Sequence, residues 1–386
     1  MRPLLINYEY PPVGGGAGNA TAHIARALVD LGHSPIVLTA AYDSQPSRSM
    51  VEGVDIIRVP ARRARPDRSG LFEMATYVAS AAIALPRVLR VERPDAAIVF
   101  FSMPCGPLGL LAYKWAHVPY IVSLRGADVP SDEVKRFTSH YKVLRPVIGR
   151  LWRDANALVA VSNGLRSHAE QITPDIPIQV ISNAIDLSQF TPPRQREADG
   201  PVRLLYVGRF TVAKNVQTLV EAVAELAGRE VGDFELELVG EGAQRPALER
   251  MVAERGLARR VHFADWIPRD RIADHYRRAD IFATATTWEG MPNTVLEAMA
   301  CGLPIVGSQA PGLQELVEDS VNGYLVPIKD AEAMADALAL LIDNGYERRR
   351  MGRQSRLLVE RQFAWEQIAA QYVEVYRQVL ERAAAG

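Results

Sequence analysis

Cysteine is scarce in this 386-residue chain. Cys105 and Cys301 lie far apart and in no C-x-x-C pair, which excludes a disulfide framework or a cysteine-built zinc site and suits a reducing compartment, the cytoplasm. Net charge is sparse too: 44 Lys and Arg offset 45 Asp and Glu, so no global field recruits nucleic acid and any basic surface has to be local. Long hydrophobic runs are missing. The most apolar stretches, 96–112 and 71–86, are interrupted by Ser102, Pro104, Gly106 and Pro107 or by Glu73 and Thr76, short of the about 18 to 20 clean residues a membrane span needs. The first residues reach Glu9 and Pro11-Pro12 before an apolar signal-peptide core develops. Neither D-x-D nor H-E-x-x-H occurs, and the seven histidines, His23, His117 and His262 among them, are scattered; no metal site, no cofactor and no Ser-His-Asp triad is expected.

What is present is an ordinary globular composition, 48% apolar and 23% charged, long enough for two domains with real cores. Short β-branched runs alternate with longer 3.6-period stretches, the signature of βαβ units and parallel sheets. In the first half, strands are expected at 4–7, 35–39, 55–59, 96–101, 120–124, 157–161 and 179–181, with a helix over 19–31. In the second half, strands at 202–207, 234–239, 261–263, 281–284, 304–307 and 323–326 alternate with helices at 216–227, 244–255, 269–279 and 294–300. Residues 190–201 are polar, Pro-rich and aperiodic, as a linker is. The reading is therefore α/β with two doubly wound domains, 1–190 and 201–363. Helices at 331–344 and 364–384 follow, and the last carries Trp365, Ile368, Tyr372, Val375 and Val379 at near-helical spacing. That face is broad enough to dock 364–386 across both domains.

Chemistry is concentrated where strands turn into helices. The loop from Gly14 to Gly18, including Gly15 and Gly16, joins the first strand to the first helix, where backbone N–H groups and a helix N-terminus receive anions. It is neither a clean G-x-G-x-x-G nor a P-loop. In the second half, Gly208-Arg209-Phe210 with Lys214-Asn215 follows one strand, and Glu289-Gly290-Met291-Pro292-Asn293-Thr294 with Glu297 lies between another strand and its helix. Both sit at carboxyl ends of parallel strands, where ligands bind in open α/β sheets. Arg209 as a planar fork and Lys214 as a mobile point charge suit a diphosphate. Glu289 and Glu297 suit hydroxyl-rich groups, since one carboxylate accepts from two vicinal hydroxyls. Thr294-x-x-Glu297 also reads as a capping box, a role compatible with binding.

Taken in order, these motifs, together with Val161-Ser162-Asn163-Gly164-Leu165, Ile181-Ser182-Asn183-Ala184-Ile185-Asp186, Val239-Gly240-Glu241-Gly242 and Leu296 to Pro304, resemble the retaining glycosyltransferases of family 4 over nearly the whole chain. The resemblance implies a GT-B fold, with two Rossmann-like domains facing a cleft. It implies a nucleotide-sugar donor on the C-terminal domain, UDP-, GDP- or ADP-linked, and a carbohydrate or lipid-linked acceptor mostly on the N-terminal domain. Residues matching Arg209 and Lys214 neutralise the diphosphate in that family; that matching Glu289 contacts the donor sugar and that matching Glu297 the ribose. One position departs: Arg125 stands where the family commonly has a His that bonds the donor sugar. Arg cannot act as a base; it is expected to contact sugar or phosphate or to pair with Asp128, which is itself a candidate contact. Two basic segments, Arg58, Arg62, Arg63, Arg65 and Arg68, and Lys135, Arg136, Lys142, Arg145, Arg150 and Arg153 with Trp152, are either solvated or rest on anionic lipid, which would give peripheral membrane association. The expected function is metal-independent, retaining sugar transfer in polysaccharide or glycoconjugate assembly; the alternatives are a nucleotide-sugar epimerase and a non-catalytic nucleotide-sugar binder.

Overall fold

The computed structural model describes residues 1–13, 15–63, 70–126, 128–129, 138–194 and 200–385, with the backbone alone at 138–143, 269 and 385. Gly14, Arg65, Arg68, Lys135 and Arg136 of the sequence reading, and linker residues 195–199, lie outside the described residues. In chain order the elements are β1 (Pro3–Ile6), α1 (Gly16–Asp30), β2 (Ile36–Ala40), β3 (Arg48–Val51), β4 (Val54–Val59), α2 (Leu71–Glu92), β5 (Ala96–Phe100) and α3 (Gly106–Ala116). Then come β6 (Tyr120–Leu124), α4 (Thr138–Arg153), β7 (Ala157–Ala160), α5 (Asn163–Glu170), β8 (Ile178–Val180), β9 (Val202–Val207), α6 (Val216–Ala227), β10 (Phe234–Val239) and α7 (Arg245–Glu254). The chain closes with β11 (Val261–Ala264), α8 (Arg269–Arg278), β12 (Ile281–Thr284), α9 (Asn293–Ala300), β13 (Ile305–Ser308), α10 (Pro311–Gln314), β14 (Gly323–Val326), α11 (Ala331–Asp343), α12 (Gly345–Gln362) and α13 (Trp365–Ala385).

Two compact units result, Met1–Asn183 with Trp365–Gly386, and Ala184–Ala364. The first holds an eight-stranded sheet in the order β3-β4-β2-β1-β5-β6-β7-β8, parallel throughout except for the β3–β4 pair. Strands β1, β2, β5 and β6 are buried end to end, because helices cover both faces of a doubly wound sheet and leave no polar side. β3 has no apolar run; its Arg48-Ser49-Met50-Val51 reads as loop in the sequence and pairs only as an antiparallel edge.

The second unit holds six parallel strands in the order β11-β10-β9-β12-β13-β14. Its core joins Leu204, Tyr206, Leu236, Leu238 and Ile281 from the strands to Leu219, Val223, Leu338 and Leu341 from α6 and α11. These are the i, i+3 or i+4 and alternating positions that the periodicity marks.

Three expectations change. The boundary falls at Asn183 and Ala184, ahead of the Pro-rich stretch, because Ile185 bridges to Ala364 and Phe190 is buried edge-on against Tyr276. The C-terminal helix α13 groups with the first unit: its Tyr376 hydroxyl bonds both the N–H and the carbonyl of Ala96, and Tyr372 meets Ser123. The stretch 71–86, read as too interrupted, is part of one 22-residue helix, long and apolar enough by length and composition to cross a bilayer. It buries Tyr77, Ala81, Leu85 and Val88 at turn spacing, as a helix packed on a sheet does.

Candidate active site

The second unit brings Lys214 and Glu289 together. Lys214 ends a single 3-10 turn, Val212–Lys214, after β9, and Asn215 then takes a left-handed conformation with φ 48° to open α6. The turn is stitched to the loop after β12: the Ala213 carbonyl accepts the Thr287 N–H at 2.8 Å and the Thr286 hydroxyl at 3.0 Å, while Asn215 Nδ2 donates to the Ala285 carbonyl at 3.2 Å. Those bonds hold the Lys214 ammonium directly against Glu289 Oε1. Burial first, and the Arg209 charge second, pull Lys214 down from its ordinary value to about 7. Arg209 itself is exposed, and its guanidinium makes no hydrogen bond or ion pair among the described residues.

Beneath them, two loops at the carboxyl edge lie backbone to backbone. Phe210 N–H donates to the Glu241 carbonyl at 2.8 Å and Gln244 N–H to the Phe210 carbonyl at 3.1 Å. Gly240, at φ +140°, cannot be replaced there, since a Cβ would overlap the Gly208 carbonyl oxygen. Gly312, in α10, passes so close that a Cβ would lie 2.7 Å from the carbonyl oxygens of both Glu289 and Gly290. It fixes the height of the glutamate loop.

Gly290, Met291 and Pro292 are buried, and Asn293 and Thr294 half-buried, at the start of α9. The expected capping box does not form: Pro292 is the N-cap and no side chain caps the helix. Thr294 is thus two residues too far in to be an N-cap. The Glu297 carboxylate, buried within the helix, instead accepts from the Tyr276 hydroxyl at 2.8 Å.

The first unit holds the remaining candidates. Gly15 and Gly16 open α1, exposed, and the Gly15 N–H donates to Glu9 Oε2 at 3.3 Å. After β6, Asp128 is fully enclosed and accepts four bonds: Oδ2 from Ser102 N–H at 2.7 Å and Ser102 Oγ at 3.2 Å, Oδ1 from the backbone N–H groups of Arg125 at 2.9 Å and Gly126 at 3.0 Å. Burial pushes its carboxyl up, against the pull of those donors. The anticipated Arg125–Asp128 side-chain pair is therefore a side-chain-to-backbone turn. The Arg125 guanidinium lies over the Phe100 ring, 5.4 Å from its centroid, with Nη1 sealed from solvent and unpartnered.

Residues 188–358 match the family of glycosyl transferases group 1, and residues 15–184 match the glycosyl transferase 4-like domain. The lipopolysaccharide core biosynthesis glycosyltransferase LpsE of Rhizobium meliloti is 30% identical over 266 residues, 66% of this chain and 75% of LpsE. The chain belongs to the group 1 glycosyltransferases. Its fold is GT-B. A sucrose-phosphate synthase from Thermosynechococcus elongatus superposes with a TM-score of 0.85 at 23% identity, covering 99% of this chain and 100% of that one. Anabaena HepE, solved in complex with UDP-glucose, gives 0.76 at 20% identity, covering 98% of this chain and 100% of its own.

In this glycosyltransferase the sequence picked out the charged residues and missed those that place them. Tyr276, Thr286 and Gly312 carry no motif of their own; Gly312 alone left a signal, a Gly behind a Pro at the start of a short helix. The basic segments also resolve differently. Arg58 is buried and bonded to Ser49, Arg63 is turned inward to 3.8 Å from Glu9, and Trp152 is enclosed with its indole N–H on Ser102. None of the three is available to a lipid surface.

Proposed function

We propose that this glycosyltransferase moves a sugar from a nucleoside diphosphate donor to a carbohydrate or lipid-linked acceptor in polysaccharide or glycoconjugate assembly, with retention at the anomeric carbon and without a metal ion. The observation that carries the reading is the cation pair of the second unit: an exposed, unpartnered Arg209 beside a Lys214 held against Glu289. Cleavage of the bond from the anomeric carbon to the diphosphate leaves negative charge on the departing nucleoside diphosphate and positive charge on the sugar. Fixed cations already in place stabilise that leaving group without reorganisation. Glu289 holds Lys214 in position, and offers acceptor oxygens to sugar hydroxyls. Glu297, fixed by Tyr276, accepts from the vicinal hydroxyls of a ribose.

HepE's complex with UDP-glucose supports a nucleotide-sugar donor, and the role in LpsE's name supports glycoconjugate assembly. Arg209 and Lys214 supply at the diphosphate the positive charge that a metal ion would otherwise bring. Both cysteines are buried and free, in keeping with the cytoplasm, and exposed Arg145 and Arg153 on α4 offer the surface for a peripheral approach to lipid-linked acceptor. The test begins with melting-temperature shifts against UDP-, GDP- and ADP-sugars. The selected donor should release nucleoside diphosphate only when acceptor is added, keep its anomeric configuration in the product by proton NMR, and turn over in EDTA. Equal release with and without acceptor, or full loss in EDTA restored by Mg²⁺, would reject the reading.

A further inference from the structure

Arg125 makes no ion pair among the described residues. It follows β6 directly, on the carboxyl edge of the first sheet where ligands of parallel α/β units bind. The only carboxylate in its turn, Asp128, is fully engaged by Ser102 and by two backbone amides. The Phe100 ring offers a face but no acceptor. Other arginines held against the fold spend their donors on oxygen. Arg58 bonds Ser49, Arg348 bonds the carbonyls of Leu341 and Ile342, and Arg356 bonds those of Phe190 and Ala300. At Arg125, by contrast, Nη1 is enclosed and bonds nothing, while the residue as a whole keeps a partly open surface.

A desolvated guanidinium left uncompensated is costly, and the partner that removes the cost is an anion presenting two oxygens to its planar fork. A neutral hydroxyl removes none of the charge. A purely structural arginine would have taken a carbonyl or a carboxylate of the fold; this one, on the ligand-binding edge, has taken neither among the described residues.

We propose that Arg125 receives an oxyanion, a carboxylate or a phosphate, carried by the substrate that docks on the first unit, so that the enzyme selects an anionic sugar or sugar derivative over a neutral one. The proposal rests on the glycosyl-transfer reading for the existence of that substrate, and its test separates the two. Calorimetry on the full chain would compare glucose, glucuronate and glucose 6-phosphate as probes, and would measure the nucleoside diphosphate of the selected donor in every variant.

Wild type is expected to bind glucuronate or glucose 6-phosphate at least about tenfold more tightly than glucose, and to lose that margin as salt rises. Whichever probe wins identifies carboxylate or phosphate as the group. Arg125→Gln should erase the margin while nucleoside diphosphate affinity stays at the wild-type value. If melting shows that this variant does not fold, Arg125→Lys, which keeps the charge and loses the fork, should cut the margin at least about threefold. No margin in wild type, or a margin unchanged in the folded variant, overturns the proposal. Absence of nucleoside diphosphate binding in wild type would instead count against the donor reading.

Discussion

The two carboxyl edges handle charge in opposite ways. In the second unit, Lys214 lies against Glu289, Glu297 has its tyrosine, and Arg209 is exposed where water already solvates it. In the first unit the carboxylate, Asp128, is engaged by backbone amides and the cation, Arg125, has its Nη1 enclosed with no partner among the described residues. A site that is balanced when empty can hold its geometry ready for a ligand, because nothing in it gains by moving. A site left unbalanced gains its missing half from the ligand. The first arrangement suits catalysis on a common leaving group; the second suits discrimination between substrates.

That contrast can be broken most directly at Lys214. Lys214→Ala removes a preorganised charge at the developing oxyanion, so turnover should fall by about 10²- to 10³-fold, roughly 2.7 to 4 kcal/mol, with circular dichroism unchanged. Turnover within a factor of a few of wild type would end the assignment of this pair to the leaving group. Asp128→Ala should show the opposite signature. It orphans the buried amides of Ser102, Arg125 and Gly126, at about 1 to 3 kcal/mol for each group left unmet, and lowers the melting temperature by several degrees. A melting temperature equal to wild type would mean that the carboxylate does not organise that turn.

Glu289→Gln tests the balance itself. In the intact protein burial and Arg209 already bring Lys214 to about 7 against an ordinary 10.5, so the wild-type rate should decline as pH rises past about 7, about tenfold per pH unit well above the midpoint, and removing the carboxylate should move that decline to lower pH. Stability should move the other way. The unfolded chain binds this proton more tightly than the folded one, so stability rises with pH between the two values. A loss of rate accompanied by a loss of melting temperature over that range would point to alkaline unfolding instead.

The smallest effects lie at the start of α9. Thr294→Ala should leave stability within about 0.5 kcal/mol, since no capping box is there to lose. Glu297→Gln should weaken donor binding several-fold with little change in melting temperature. An equal melting loss in both would restore the capping role.

Much of the fold was legible because parallel, doubly buried strands write their positions as short apolar runs. Arg209, Lys214, Glu289 and Glu297 were legible because they end those runs. Elsewhere the signal was absent. Helix α12 buries only Met351, Gly352, Ser355 and Val359 among many charges, too narrow a stripe to stand out. The domain boundary was drawn at the prolines because composition marks where a chain is polar; Ile185 and Phe190 anchor their segment through long-range contacts that composition does not carry. The Arg125–Asp128 turn was misread for a related cause. Sequence shows opposite charges three apart, but whether a carboxylate meets a guanidinium or the amide behind it depends on the backbone path.

The two tyrosine contacts from α13 also fix an order of events. Ala96 and Ser123 must wait for partners that lie 280 and 249 residues further along the chain. During synthesis the second unit, contiguous from Ala184 to Ala364, emerges whole before the helix that seals the first. The half that begins translation is thus the last to close.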